Sequence, residues 1–203
     1  MSTRDDVAAI VPFTKALREL GIEYYIGGSV ASSTHGISRS TADIDIIANV
    51  HLKHVAQLVD LLQDAFYIDD RMIRDALGQQ QSFSVIHLAT MYKRNLFVPK
   101  NREFDQIAWS RRVLARPFED HQEQYPVASP EDTILTKLEW YKAGGETSER
   151  QWGDVVGVMQ IQFDQLDQAY LNRWAADLGV SDLLQRAWTE ARTLMGESTE
   201  QAI

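Results

Sequence analysis

The stretch from Ile26 to Ile47, IGGSVASSTHGISRSTADIDII, constrains this chain more than any other part of it. A short apolar strand, Glu23 to Ile26, breaks at Gly27-Gly28, and a short helix is expected from Ser29 to Thr34, closed by His35-Gly36. The chain then returns as DIDIIA, Asp43 to Ala48, a β-branched run suited to a buried strand. Glycine lets backbone amides approach a ligand closely, and amides at a helix start suit phosphate. Ser29 adds a hydroxyl donor at the same place. Asp43 and Asp45 stand at positions i and i+2 of the strand, so both point to one face. Two neighbouring carboxylates repel one another unless a cation lies between them. Mg²⁺ (or Mn²⁺) is the natural guest, because it favours carboxylate together with substrate phosphate.

The flanking sequence reads as an α/β part followed by a helical part. Val7, Ile10, Val11, Leu17 and Leu20 fall at helical spacing over 3–20, with Gly21 as a stop. Residues 52–62 form an amphipathic helix carrying Val55, Leu58, Val59 and Leu62, and 69–77 a second short one. Residues 82–98 read as two strands, SFSVIHL and RNLFV, joined at Ala89-Thr90-Met91. A helical turn is expected at 104–109, with further strands at 111–116 and 125–128. Ser129-Pro130-Glu131-Asp132 then supplies an N-cap, a first-turn proline and two acids for the helix dipole. Everything beyond reads helical, as 130–143, 149–162, 167–178 and 181–195. The domain reading is 1–128 for the α/β part and 129–203 for a helical C-terminal subdomain.

Composition narrows the chemistry. The chain lacks cysteine, so a metal must be held by carboxylate or imidazole. No apolar run reaches the ~20 residues of a membrane span. Acidic Asp5 and Asp6 stand where a secretory leader carries basic residues, so a cytoplasmic location is expected. The net charge of −9 opposes non-specific nucleic-acid binding. One basic segment stands against it, with Lys93, Arg94, Lys100, Arg102, Arg111, Arg112 and Arg116; it reads either as solvated surface or as a groove for a phosphate-rich acceptor.

With these residues in view, the segment resembles the minimal nucleotidyltransferases of the DNA polymerase β superfamily. Their signature is Gly-Ser, a short spacer and Asp-x-Asp; Gly28-Ser29 and Asp43-x-Asp45 match it. The chain is most similar to the bacterial abortive-infection toxin-type (AbiEii-like) branch. There PEDTILTKLEWYKAGG and SERQWGDVVGVMQIQ resemble the later motifs, which places Lys137 and Asp154 in the site. The resemblance implies a nucleotidyltransferase fold, a mixed β-sheet flanked by helices with a C-terminal helical subdomain. It implies that Asp43 and Asp45 hold Mg²⁺, and that Ser29 and the backbone at Gly28 hold the NTP phosphates. Lys137 and Arg39 would pair with phosphate, while Asp154 would position a substrate or salt-bridge Lys137. It also implies a third carboxylate on the strand KRNLFV, where this chain has Asn95. Asn carries no charge and cannot act as a base.

Each position has a plainer reading. Lys137 can be a snorkelling surface lysine and Asp154 a dipole-pairing acid near a helix start. His35 reads as structural, and Trp140, Trp152, Trp174 and Trp188 as core. Three functions follow, the third a carboxylate-metal phosphohydrolase. The first is a Mg²⁺-dependent transferase moving a nucleotidyl group from an NTP to an RNA (tRNA among them) or protein hydroxyl, with an antitoxin as partner if the protein is a toxin. The second is a catalytically weak nucleotide-binding or regulatory protein that kept the fold.

Overall fold

The computed structural model describes residues 3–41, 43–118 and 121–196. In chain order the elements are α1 (Thr3–Glu19), β1 (Tyr24–Ile26), α2 (Gly28–His35), β2 (Asp43–Ala48), α3 (Val55–Leu62), β3 (Phe66–Tyr67), α4 (Asp70–Gly78), β4 (Phe83–His87) and β5 (Lys93–Phe97). Then come α5 (Glu103–Arg111), β6 (Val113–Ala115), β7 (Tyr125–Val127), α6 (Pro130–Ala143), α7 (Glu149–Gln162), α8 (Gln168–Asp177) and α9 (Ser181–Leu194). The elements form two compact units, Met1–Val30 with Ser40–Val127, and Ala31–Arg39 with Ala128–Ile203. Residues 31–39, which the sequence assigns to the α/β part, therefore group with the helices.

The first unit is built on a mixed seven-stranded sheet in the order β3-β4-β5-β2-β1-β7-β6. β2 lies at its centre, antiparallel to β1 and parallel to β5. Alternation along the strands sorts the two faces. Ile26, Ile44, Ile46, Leu96, Val85 and Phe66 are sealed on one of them. Ile10, Phe13 and Leu17 of α1 are fully buried, and the Phe13 ring meets Phe66 edge-on at 5.7 Å. α1 ends where Gly21 adopts φ +65° and Ile22 N–H donates back to Leu17 O, the left-handed helix stop that glycine favours. The two-residue β3 is not among the elements the sequence predicts, because a strand that short has no periodicity to read.

Arg94 also lies on the sealed face, in register with Ile44, and is 0% exposed. Its guanidinium donates to the carbonyls of Lys93 and Asp6, while Nε finds no hydrogen-bond partner. Burial pushes its pKa down to about 10. Arg102 pairs with Asp105 at 2.6 Å, and Arg112 with Glu23 at 2.9 Å while stacking over Trp109. Three of the seven residues of the basic segment, Arg94, Arg102 and Arg112, are thus held in structural contacts, while Lys93, Lys100 and Arg116 are exposed.

The second unit packs α6, α7, α8 and α9 with the segment 31–39. The Ser129 hydroxyl caps α6 by accepting from Asp132 N–H, as the Ser-Pro-Glu-Asp signature predicts. Gly36 and Gly157 let the loop lie against α7, since a Cβ on Gly36 would meet Val158 N at 2.6 Å. His35 is structural: its Nε2 lies 2.7 Å from Ala128 O, and burial lowers its pKa. Trp174 and Trp188 are core, but Trp140 is 49% exposed and Trp152 is half-buried, so the expectation of four core tryptophans holds for two of them. Leu138 and Tyr141, the neighbours of Trp140, occupy the buried side of α6 instead. No described helix is long and apolar enough to cross a membrane.

Candidate active site

The polar face of the sheet carries a row of side chains fixed by strand register. Asp45 on β2 stands opposite Asn95 on β5, and Asn95 opposite Ser84 on β4. Ser84 Oγ donates to Asn95 Oδ1 at 2.9 Å, and Asn95 Nδ2 donates to Asp45 Oδ1 at 3.0 Å. The orientation of the amide follows from chemistry, because an ionised carboxylate can only accept. Asp43 lies one pleat away on the same face, exposed, beside Lys93 on β5. Ile44 and Ile46 turn the other way into the core. The apolar half of DIDIIA buries the strand, and this pins its acidic half to the open face.

Gly27-Gly28 brings the end of β1 against this row. Gly27 N–H donates to Asp45 O at 2.9 Å. Gly28 has φ +56°, and a Cβ there would fall 2.0 Å from Asp45 Oδ2. The glycine is therefore required twice, by its backbone conformation and by the carboxylate lying against it. α2 starts at Gly28, so Ser29 and the first amides of that helix follow directly in the chain.

The structure thus brings Gly28, Asp45 and Asn95 into contact and sets Asp43 on the same face. Among the described residues no group of three or more His, Asp and Glu gathers that could hold a metal. The donor set present is two carboxylates, with Asn95 engaged by Ser84 and Asp45. Two carboxylates on one face fit the donor preference of a hard divalent cation. Sequence reasoning does not single out Ser84, whose partnership depends on strand order.

In the helical unit, Arg39, Lys137 and Asp154 come together. Arg39 holds Asp154 in a bidentate pair, with Nε to Oδ1 at 2.6 Å and Nη2 to Oδ2 at 2.8 Å. Lys137 Nζ reaches Asp154 Oδ2 at 2.6 Å, and the carboxylate is 4% exposed. Burial alone would raise the Asp154 pKa, but the hydrogen bonds from Arg39 and Lys137 outweigh it and hold the pKa below the ordinary carboxylate range. Of the two expected roles for Asp154, the geometry displays the salt bridge to Lys137. Asp154→Ala should cost about 3 kcal/mol, because it removes the carboxylate that pairs with the buried Lys137. Lys137→Met should cost less, since Arg39 still pairs with Asp154. Thermal unfolding of the two variants checks the order. The stability that Asp154 contributes is present above the unfolded carboxylate pKa and lost as pH falls through the depressed folded value, so it should not vary near neutrality.

No protein-family model matches the chain, and no curated protein matches its sequence. Among solved structures it is similar to the antibiotic-resistance factor ANT(2'')-Ia, with a TM-score of 0.55 over 97% of this chain and 100% of that one, at 10% identity. It is also similar to an antigenic nucleotidyltransferase-like protein from Paracoccidioides brasiliensis, with a TM-score of 0.51 over 90% of each chain, at 16% identity. The chain has the nucleotidyltransferase fold, the mixed α/β architecture expected from the sequence.

Proposed function

We propose that this protein is a Mg²⁺-dependent nucleotidyltransferase using an NTP. The observation that carries the reading is the fit of Asp45 against Gly28, with Asp43 on the same sheet face. In the reaction an acceptor hydroxyl oxygen bonds to the α-phosphorus, and the bond from phosphorus to the pyrophosphate oxygen breaks. Pyrophosphate leaves with the electron pair, and the hydroxyl proton passes to solvent. Asp43 and Asp45 would hold Mg²⁺, which would supply charge neutralisation at the phosphates. Ser29 and the amides at the start of α2 would hold phosphate oxygens; the toxin-type resemblance gives Lys137 and Arg39 as phosphate-pairing cations, and Asp154 pairs with both of them. Asn95 fixes the rotamer of Asp45 and withdraws no proton. Catalysis by such a site is alignment and electrostatics.

The toxin-type resemblance would place the acceptor hydroxyl on a tRNA or a protein, with an antitoxin as partner. Transfer of label from each α-³²P NTP onto total RNA, protein or small molecules tests the activity. The engagement of Asn95 with Ser84 and Asp45 favours a second reading, a nucleotide-binding protein of weak turnover. Nucleotide-induced thermal stabilisation without label transfer in any fraction would decide for it. Asn95→Asp tests the missing acid directly. If the absent carboxylate limits the rate, transfer rises about a hundredfold or more, the usual range for an added general base. An unchanged or lower rate means that the Asn95–Ser84 pair is the working arrangement.

A further inference from the structure

The two acids of the open sheet face have different neighbours on their two sides. β5 runs parallel beside β2, with Lys93 opposite Asp43 and Asn95 opposite Asp45. Alternation puts Lys93 and Asn95 on the face of the acids, since Arg94 and Leu96 are buried on the other. Lys93 is exposed, and an ammonium has three donors and no acceptor. Asn95 has a carbonyl oxygen, but Ser84 Oγ donates to it at 2.9 Å, and the amide nitrogen turns to Asp45 Oδ1 at 3.0 Å. On the β1 side, a Cβ on Gly28 would fall 2.0 Å from Asp45 Oδ2.

We infer that this site takes a single divalent cation, and that Lys93 and Asn95 close the β5 side of Asp43 and Asp45 to a second one. This rests on the transferase reading above and specifies its metal requirement. Paired cations in phosphate-handling sites lie about 3.5–4 Å apart. Neighbouring strands lie about 4.8 Å apart, so a second ion displaced toward β5 comes down on the side chains of Lys93 and Asn95. There it meets an ammonium and amide hydrogens, groups of its own sign, with no anionic oxygen from β5 to offset them. A carboxylate that joins two cations gives one oxygen to each. Asp45 Oδ1 is turned to the Asn95 amide, and Oδ2 lies against Gly28. The Ser84 hydroxyl completes the arrangement, because it engages the one atom of Asn95 that could ligate a cation.

The test uses the full chain, Mn²⁺ in place of Mg²⁺, and α,β-methylene NTP analogues, which bind without being transferred. Electron paramagnetic resonance counts the Mn²⁺ held per bound nucleotide. The wild type should hold one, with no splitting from a coupled pair of ions. Lys93→Gln with Asn95→Asp exchanges the ammonium for a neutral amide and the amide for a carboxylate. That double variant should hold two Mn²⁺ per nucleotide and show the coupled signal. Two Mn²⁺ per nucleotide in the wild type, or a folded double variant that stays at one, overturns the inference. The wild-type count decides by itself if the double variant does not fold. Absence of any nucleotide-dependent Mn²⁺ binding in the wild type would instead sink the transferase reading itself.

Discussion

Replacing Asp43 and Asp45 together by asparagine should abolish nucleotidyl transfer and the thermal stabilisation that a nucleotide with Mg²⁺ confers. The two carboxylates are the donors on the open sheet face suited to a hard cation, and Asn95 is occupied by Ser84 and Asp45. Charge stabilisation of several kcal/mol, at about 1.4 kcal/mol per tenfold, corresponds to a loss of about three decades in rate or more. Folding should be spared. Asparagine is nearly isosteric with aspartate, and the amide oxygen introduced by Asp45→Asn can still accept from Asn95. Removing two neighbouring negative charges also relieves repulsion. The expected pattern is an unchanged or slightly higher melting temperature without ligand, with no further rise on adding nucleotide and Mg²⁺. A double variant that is still stabilised by nucleotide in a Mg²⁺-dependent way would refute the assignment of these two residues.

How far such a site is legible in sequence depends on which interactions are local. The strand DIDIIA, the Gly-Gly break and the Ser-Pro-Glu-Asp cap all depend on neighbours in the chain, and β2, α2 and α6 form where those signals stand. Period-two alternation predicts the shared face of Asp43 and Asp45, and burial of Ile44 and Ile46 realises it. The partners of those acids depend on strand order. That β5 lies parallel beside β2, in the register that sets Asn95 against Asp45, follows from the whole sheet and not from the segment KRNLFV. The same limit hides Ser84. It also makes Arg94 look like surface charge, because a lone arginine in a strand shows nothing locally of which face will be sealed. Arg39 and Asp154 are far apart in sequence, and residues 31–39 packing with the helices brings them together.

Gly28→Ala should be the most damaging single methyl group in the chain's first unit. Two costs combine at this position. A left-handed backbone costs a non-glycine residue roughly 1–2 kcal/mol. The new Cβ would also sit 2.0 Å from Asp45 Oδ2, 2.8 Å from Cγ and 2.9 Å from Cβ, so the carboxylate must swing away. That movement breaks the hydrogen bond from Asn95 and takes the central acid off its platform. Gly21 provides the matched control. Its φ is +65°, yet an added Cβ meets nothing within 4 Å, so Gly21→Ala carries the backbone cost alone. At about 2–4 °C per kcal/mol for a chain of this size, Gly21→Ala should lower Tm by a few degrees and leave transfer unaffected. Gly28→Ala should lower Tm further and reduce transfer to the level of the Asp43/Asp45 double variant. Equal Tm losses with transfer retained in both would mean that the contact between Gly28 and Asp45 does not position the carboxylate. The difference between the two variants therefore isolates the close approach at Gly28 from the conformational preference that both glycines share.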